Sequence, residues 1–143
     1  MPSKLYGNFL AKALNKEVDF DTDTIKVALL TSSYTPNQDT HDYFDDVVAN
    51  EVTGTGYTSG GNTLGSKTVT YDGTNNVIIL DAADTTWASS TITARYAVVY
   101  DATGTNSTSA LIGYVDFGSD QSSTNGNFTI TWDSTGIVRI TVA

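Results

Sequence analysis

The stretch TITARYAVVYD, residues 91–101, decides the fold class. Ala94, Tyr96, Val98 and Tyr100 fall on one face of an extended chain, with Ala97 and Val99 on the other. Side chains alternate across a strand, so a run that is apolar on both faces belongs inside a sheet covered twice. Working outward, Ile25, Val27 and Leu29 alternate with Lys26 and Ala28 and mark a half-buried strand over residues 24–30. Residues 67–71 and 77–80 are two β-runs joined through Asp72-Gly73, a hairpin signal. Further strands are expected at 111–117, 128–132 and 137–142. They are separated by ATGTNSTS, GSDQSSTNGN and DSTG, which read as turn chemistry.

Helical periodicity is confined to two short places. Tyr6, Leu10 and Leu14, with Phe9 and Ala13 beside them, predict a packed helix over residues 5–14, weakened at its start by Gly7. A second short helix is expected near residues 40–48, capped by Thr40, with Asp42 in its first turn and Phe44, Val47 and Val48 on one face. The expected fold is mainly β. It is one domain over residues 1–143, helical through residue 20, then a β-sandwich or jelly-roll-like barrel over residues 21–143.

Composition narrows the chemistry. The 143 residues include no cysteine, which excludes disulfides, thiolate zinc sites and cysteine nucleophiles together. Sixteen acids against seven bases give a net charge of −9, a surface that repels nucleic acid and anionic membranes. Four of the bases, Lys4, Lys12, Lys16 and Lys26, fall in the first 26 residues. The C-terminal half is instead solubilised by Thr, Ser, Asn and Asp, and depletion of charge is typical of interface cores. The opening MPSKLYGNFLAKAL lacks the apolar core and small-residue cleavage site of a secretory leader, and no run approaches the roughly 18 apolar residues of a membrane span. Synthesis in the cytoplasm is therefore expected.

No reactive constellation emerges, and neither cofactor nor enzymatic activity is expected. EVTGTGYTSGGN, residues 51–62, carries Gly54, Gly56, Gly60 and Gly61, but it has no lysine and opens no helix, unlike a phosphate loop. It reads as a surface loop, mobile until a partner orders it. Asp19, Asp21 and Asp23 imitate the start of a calcium loop, yet its sixth and twelfth positions are Thr24 and Leu30. His41, the single histidine, stands beside Asp42, Asp45 and Asp46. One imidazole is too little for zinc, no GxSxG accompanies it, and a structural hydrogen bond is the expected role. Trp87 and Trp132 could line a sugar platform, but at β spacing they read as core or interface anchors.

Several segments resemble a widespread family of small tailed-bacteriophage virion proteins. They are KLYGNFLAKALN, then IKVALLTSSYTPNQDTHDYFDDV, ANEVTGTGYTSGGNTL with KTVTYD, the AVVYD…LIGYVDFG…ITWDSTGI series, and the closing residues. The resemblance implies a structural protein of the virion. The expected place is the capsid exterior, as a decoration or cement protein on the major capsid protein, clustered as a homotrimer. The alternatives are a tail, neck or adaptor component, or a carbohydrate-binding adhesion module on the particle. On that reading Lys4, Lys12 and Lys16 would meet an acidic shell. Gly54, Gly56, Gly60 and Gly61 would order on contact, with Tyr57 as the anchor, and deleting residues 54–61 would leave the isolated fold intact.

Overall fold

A computed structural model describes residues 3–142. In chain order its elements are β1 (Ser3–Leu5), α1 (Phe9–Leu14), β2 (Ile25–Leu30), β3 (Asn62–Thr63), β4 (Thr68–Asp72), β5 (Val77–Asp81), β6 (Thr85–Asp101), β7 (Leu111–Ile130) and β8 (Val138–Thr141). Two antiparallel sheets result. One has the order β1-β7-β6-β2-β3 and the other β4-β5-β8. The protein is mainly β and sandwich-like.

β2 and β6 pair over Ile25↔Asp101 to Leu30↔Tyr96, and both faces of this pair are buried. On one side Ile25, Val27, Leu29, Val99 and Ile112 join α1 and the small sheet, through Phe9, Leu80 and Val138. On the other, Ala28, Leu30, Val98, Tyr100, Leu111 and Tyr114 are covered by Tyr6, Tyr34, Phe44 and Val47. The central strand read from residues 91–101 is thus covered twice, as its pattern requires. One detail differs. Ala94 packs on the face opposite Tyr96 and Val98, because the β6–β7 register slips between Ala94 and Tyr96. A single extra residue moves every later side chain to the other face.

The hairpin β4–β5 forms in the expected place, with Thr68↔Asp81 to Asp72↔Val77 in register. Other expectations need correction. Residues 3–5 are a strand paired with Gly113–Val115 rather than the start of a helix, and α1 begins only at Phe9, after Gly7. The expected apolar stripe holds in part: Tyr6 and Phe9 are buried and Ala13 packs on the core, but Leu10 and Leu14 are 41% and 85% exposed and Lys12 is buried. Residues 1–2 of the expected helical segment lie outside the described residues. Near residues 40–48 there is no α-helix but two 3₁₀ turns, Phe44–Asp46 and Val48–Asn50. Asp46, not Thr40, accepts the amides that begin the first turn, from Asp42 at 2.9 Å and Tyr43 at 3.4 Å. The largest difference is GSDQSSTNGN. Expected as a turn between two strands, it is the middle of β7, with residues 121–126 paired to residues 90–94 of β6. Its polar residues face outward in a two-stranded ribbon, where Thr86 meets Thr129 at 2.9 Å and Thr93 meets Ser122 at 2.7 Å.

Candidate partner-binding surface

The glycine-rich segment lies against the body of the protein. Thr55 bridges Thr91 on the edge of β6, and Thr91 N–H donates to Thr55 O at 2.9 Å. A Cβ on Gly61 would collide with the Val27 carbonyl, and one on Gly56 would fall 2.8 Å from Ser90 Cα. These glycines are required by close backbone approach rather than by mobility. Glu51 organises the rest. Its Oε1 accepts from Tyr57 OH at 2.7 Å and from Gly60 N–H at 2.6 Å, and its Oε2 accepts from Ser59 Oγ at 3.2 Å. Tyr57 OH also accepts from Leu29 N–H at 3.0 Å, while Tyr100 OH donates to Gly60 O at 2.7 Å. Burial, with the Glu51 bond added, raises the Tyr57 hydroxyl well above its ordinary value.

Tyr57 therefore turns inward. Its ring stacks on Trp87, with centroids 6.0 Å apart at 27°. The phenol expected as a partner anchor is spent on the protein's own core, and the loop expected to be mobile is fastened at both ends. Glu51, which fastens it, carried no sequence signal beyond being an acid six residues before a tyrosine.

The bases separate. Lys12 is 8% exposed. Its Nζ donates to Asp42 O at 2.7 Å, lies 3.4 Å from Asp42 Oδ2 and sits 3.4 Å from the Tyr43 ring centroid. It is an internal tie and cannot also meet an acidic shell. Lys4 and Lys16 are exposed, the first on β1 and the second beyond α1. Lys4 borders a cleft of about 300 Å³ together with Ser3, Thr135 and Arg139, where β1 faces the loop before β8. Arg139 supplies a second cation at that cleft, one the sequence reading did not assign to the surface.

The remaining chemistry-bearing groups are tied internally. His41 Nδ1 lies 3.0 Å from Tyr34 OH, which lies 2.8 Å from Tyr6 OH, giving the imidazole its expected structural role. Burial pushes the Tyr34 hydroxyl up to about 12. Asp23 Oδ2 accepts from Asp19 N–H at 2.7 Å, closing the acidic stretch into a turn. Among the described residues no cluster of three or more acids, histidines or cysteines is placed to hold a metal ion. Trp87 and Trp132 are 2% and 8% exposed, so both are core residues. Trp132 Nε1 donates to Ala83 O at 3.1 Å, whereas Trp87 Nε1 has no acceptor. No described helix is long and apolar enough to cross a membrane.

No protein-family model matches this chain, and neither a curated protein nor a solved structure matches it.

Proposed function

We propose that this protein is a structural component of a tailed-phage virion: a capsid decoration or cement protein that binds the outer surface of the major capsid shell. The observation that carries the reading is the likeness of IKVALLTSSYTPNQDTHDYFDDV and of the AVVYD…LIGYVDFG…ITWDSTGI series to that family. Those blocks supply β2, the tyrosine network and the paired parts of β6 and β7, which is the framework of the fold rather than the lining of a cleft. The protein acts by contact. Its histidine, its loop tyrosine and Lys12 are committed to internal bonds. Its outward ribbon face is built of Thr86, Thr93, Ser122 and Thr129, a surface a partner can cover without desolvating charge. Lys4 and Arg139, at the mouth of one cleft, give an acidic shell residue a place to dock. The burial of Trp87 and Trp132 favours this reading over sugar adhesion through their rings.

Imaging of the virion at a resolution that traces the chain tests the proposal. The expected result is threefold clusters on the outer shell. A purified virion with no copies overturns it, and a ring of copies at the neck or tail replaces the shell position with the adaptor one.

A further inference from the structure

The edges of a sheet present unpaired N–H and C=O groups, and proteins guard them with charge, proline, bulges or brevity. Most edges of this protein are guarded. β3 has two residues, β1 has three with Lys4 among them, and β8 carries Arg139. The outer edge of β7 beyond Val115 is interrupted by Gly118 and Asn125 at φ 82° and 46°. β4 is the least guarded: it has no proline or bulge, and its one charge, Asp72, stands at its end. Its five residues, TVTYD, pair with β5 without a break and leave the opposite edge open. Thr68, Val69, Thr70 and Tyr71 are all exposed, the apolar pair at 44% and 60%. Val69 and Tyr71 stand opposite Leu80 and Ile78, so they continue the inner face of the small sheet past the point where the large sheet covers it.

We propose that β4 is a self-pairing edge, which in solution lies antiparallel beside β4 of a second copy across a twofold axis centred on Thr70.

An open row of backbone groups selects a strand as its occupant, and the residues of β4 select their own copy. In that register Val69 of each chain faces Tyr71 of the other on one side of the sheet, a favourable β-branched–aromatic pair. Thr68 faces Asp72, so no like charges meet. The Asp72 carboxylate is already turned back on its own hairpin, accepting from Thr74 N–H at 2.9 Å and Asn75 Nδ2 at 2.7 Å. For a chain of net charge −9, an edge uncharged from Thr68 to Tyr71 is where a second copy approaches at least electrostatic cost. Twofold closure is the commonest symmetry of soluble oligomers. The contact falls short of the roughly 1,200 Å² of a stable interface, so the dimer is weak and grows with concentration. It belongs to the free chain and does not depend on the virion reading.

The chain has no cysteine, which makes a clean test. Paired residues across an antiparallel ladder are about 4.5–5.5 Å apart at Cα, within disulfide reach. In Thr70→Cys, oxidised glutathione takes up the two electrons as two thiols lose their protons and join. The expected result is a covalent dimer formed at least about tenfold faster than in Thr108→Cys, an exposed control on the turn between β6 and β7. Adding Tyr71→Lys should remove that advantage. In sedimentation velocity the native chain should grow heavier with concentration and Tyr71→Lys should not. Val69→Thr, which keeps the strand, should fall between and covers the case in which lysine disturbs the hairpin. Equal cross-linking at positions 70 and 108 would overturn the proposal, as would a dimer indifferent to both β4 variants.

Discussion

Asp101 ends β6 opposite Ile25, 4% exposed, with Asp23 beside it. Burial pushes its carboxyl up to about 7 from an ordinary 3.8, and the bond to Asp23 adds to the rise. The folded protein thus holds a proton that the unfolded chain releases from about pH 4 upward. The stabilisation is complete below pH 4 and is lost as pH rises through 7. Asp101→Asn should flatten this part of the profile: urea unfolding at pH 5 and pH 8 should differ less in the variant, by at most about 2.7 kcal/mol. An unchanged difference would place the titration elsewhere. At the other end of the glycine-rich segment, Gly61 has φ 76° and a Cβ there would meet β2 backbone, while Gly104 has φ 91° and open space. Gly61→Ala should cost about 3 kcal/mol or more and Gly104→Ala about 1 kcal/mol, since only the first adds a clash to the backbone strain. Denaturant midpoints decide it, and similar costs at the two sites would deny the close approach at Gly61. Asp101 could not be singled out from the sequence, and Gly61 was read there as ordered by a partner rather than packed on β2. Burial of one aspartate among sixteen acids, or contact between a loop glycine and a strand some 34 positions away, is set by tertiary packing.

At the scale of elements, the segment through Glu51, Tyr57 and Gly60 behaves as a strap over the β2–β6 surface. Removing residues 54–61 takes away the Tyr57–Trp87 stack and leaves Leu29 N–H without its acceptor. A donor left unpaired costs about 1–3 kcal/mol, and losing the half-buried Tyr57 ring uncovers Trp87 as well, so the deleted chain should be markedly destabilised. Circular dichroism and thermal melting would show it, and a melting point within a few degrees of the intact chain would return the segment to the status of a free loop. Elements with strong periodicity were legible: β2, the β4–β5 hairpin and the central part of β6 each stand within a few residues of where alternation put them. The middle of β7 was not, because Gly, Ser, Asp and Asn are turn formers locally, and only pairing with β6 holds them extended. α1 was legible only in part for a related reason. Its six residues are too few to fix a face by periodicity, and Lys12 was recruited inward by Asp42 and Tyr43. Of the surface residues, Lys4 and Lys16 stand outward as read, but the commitment of Tyr57 and Lys12 to internal partners left no local trace.

In the whole molecule, two apolar clusters lie on opposite faces of one sheet, and β2, β6 and β7 contribute to both. Their unfolding should therefore be a single event. The faces carry separate reporters: both tryptophans belong to one cluster, and Tyr6, Tyr34, Tyr96, Tyr100 and Tyr114 to the other. Tryptophan emission and the near-ultraviolet dichroism of the tyrosines should fall together through one urea transition; midpoints that separate would make the faces independent units. Double coverage of the sheet was readable from residues 91–101, whereas the division of cover between α1 with the small sheet and the 3₁₀ region was not. The cleft of Lys4 and Arg139 has a practical corollary. It is bordered by β1 and by the approach to β8, whereas the last described residues run on to the β4–β5 turn, where Val142 N–H donates to Asn76 O at 2.8 Å. A bulky label attached on β1 would crowd that opening and blunt any docking experiment. Residues 103–108, exposed throughout, are the better place to carry a label.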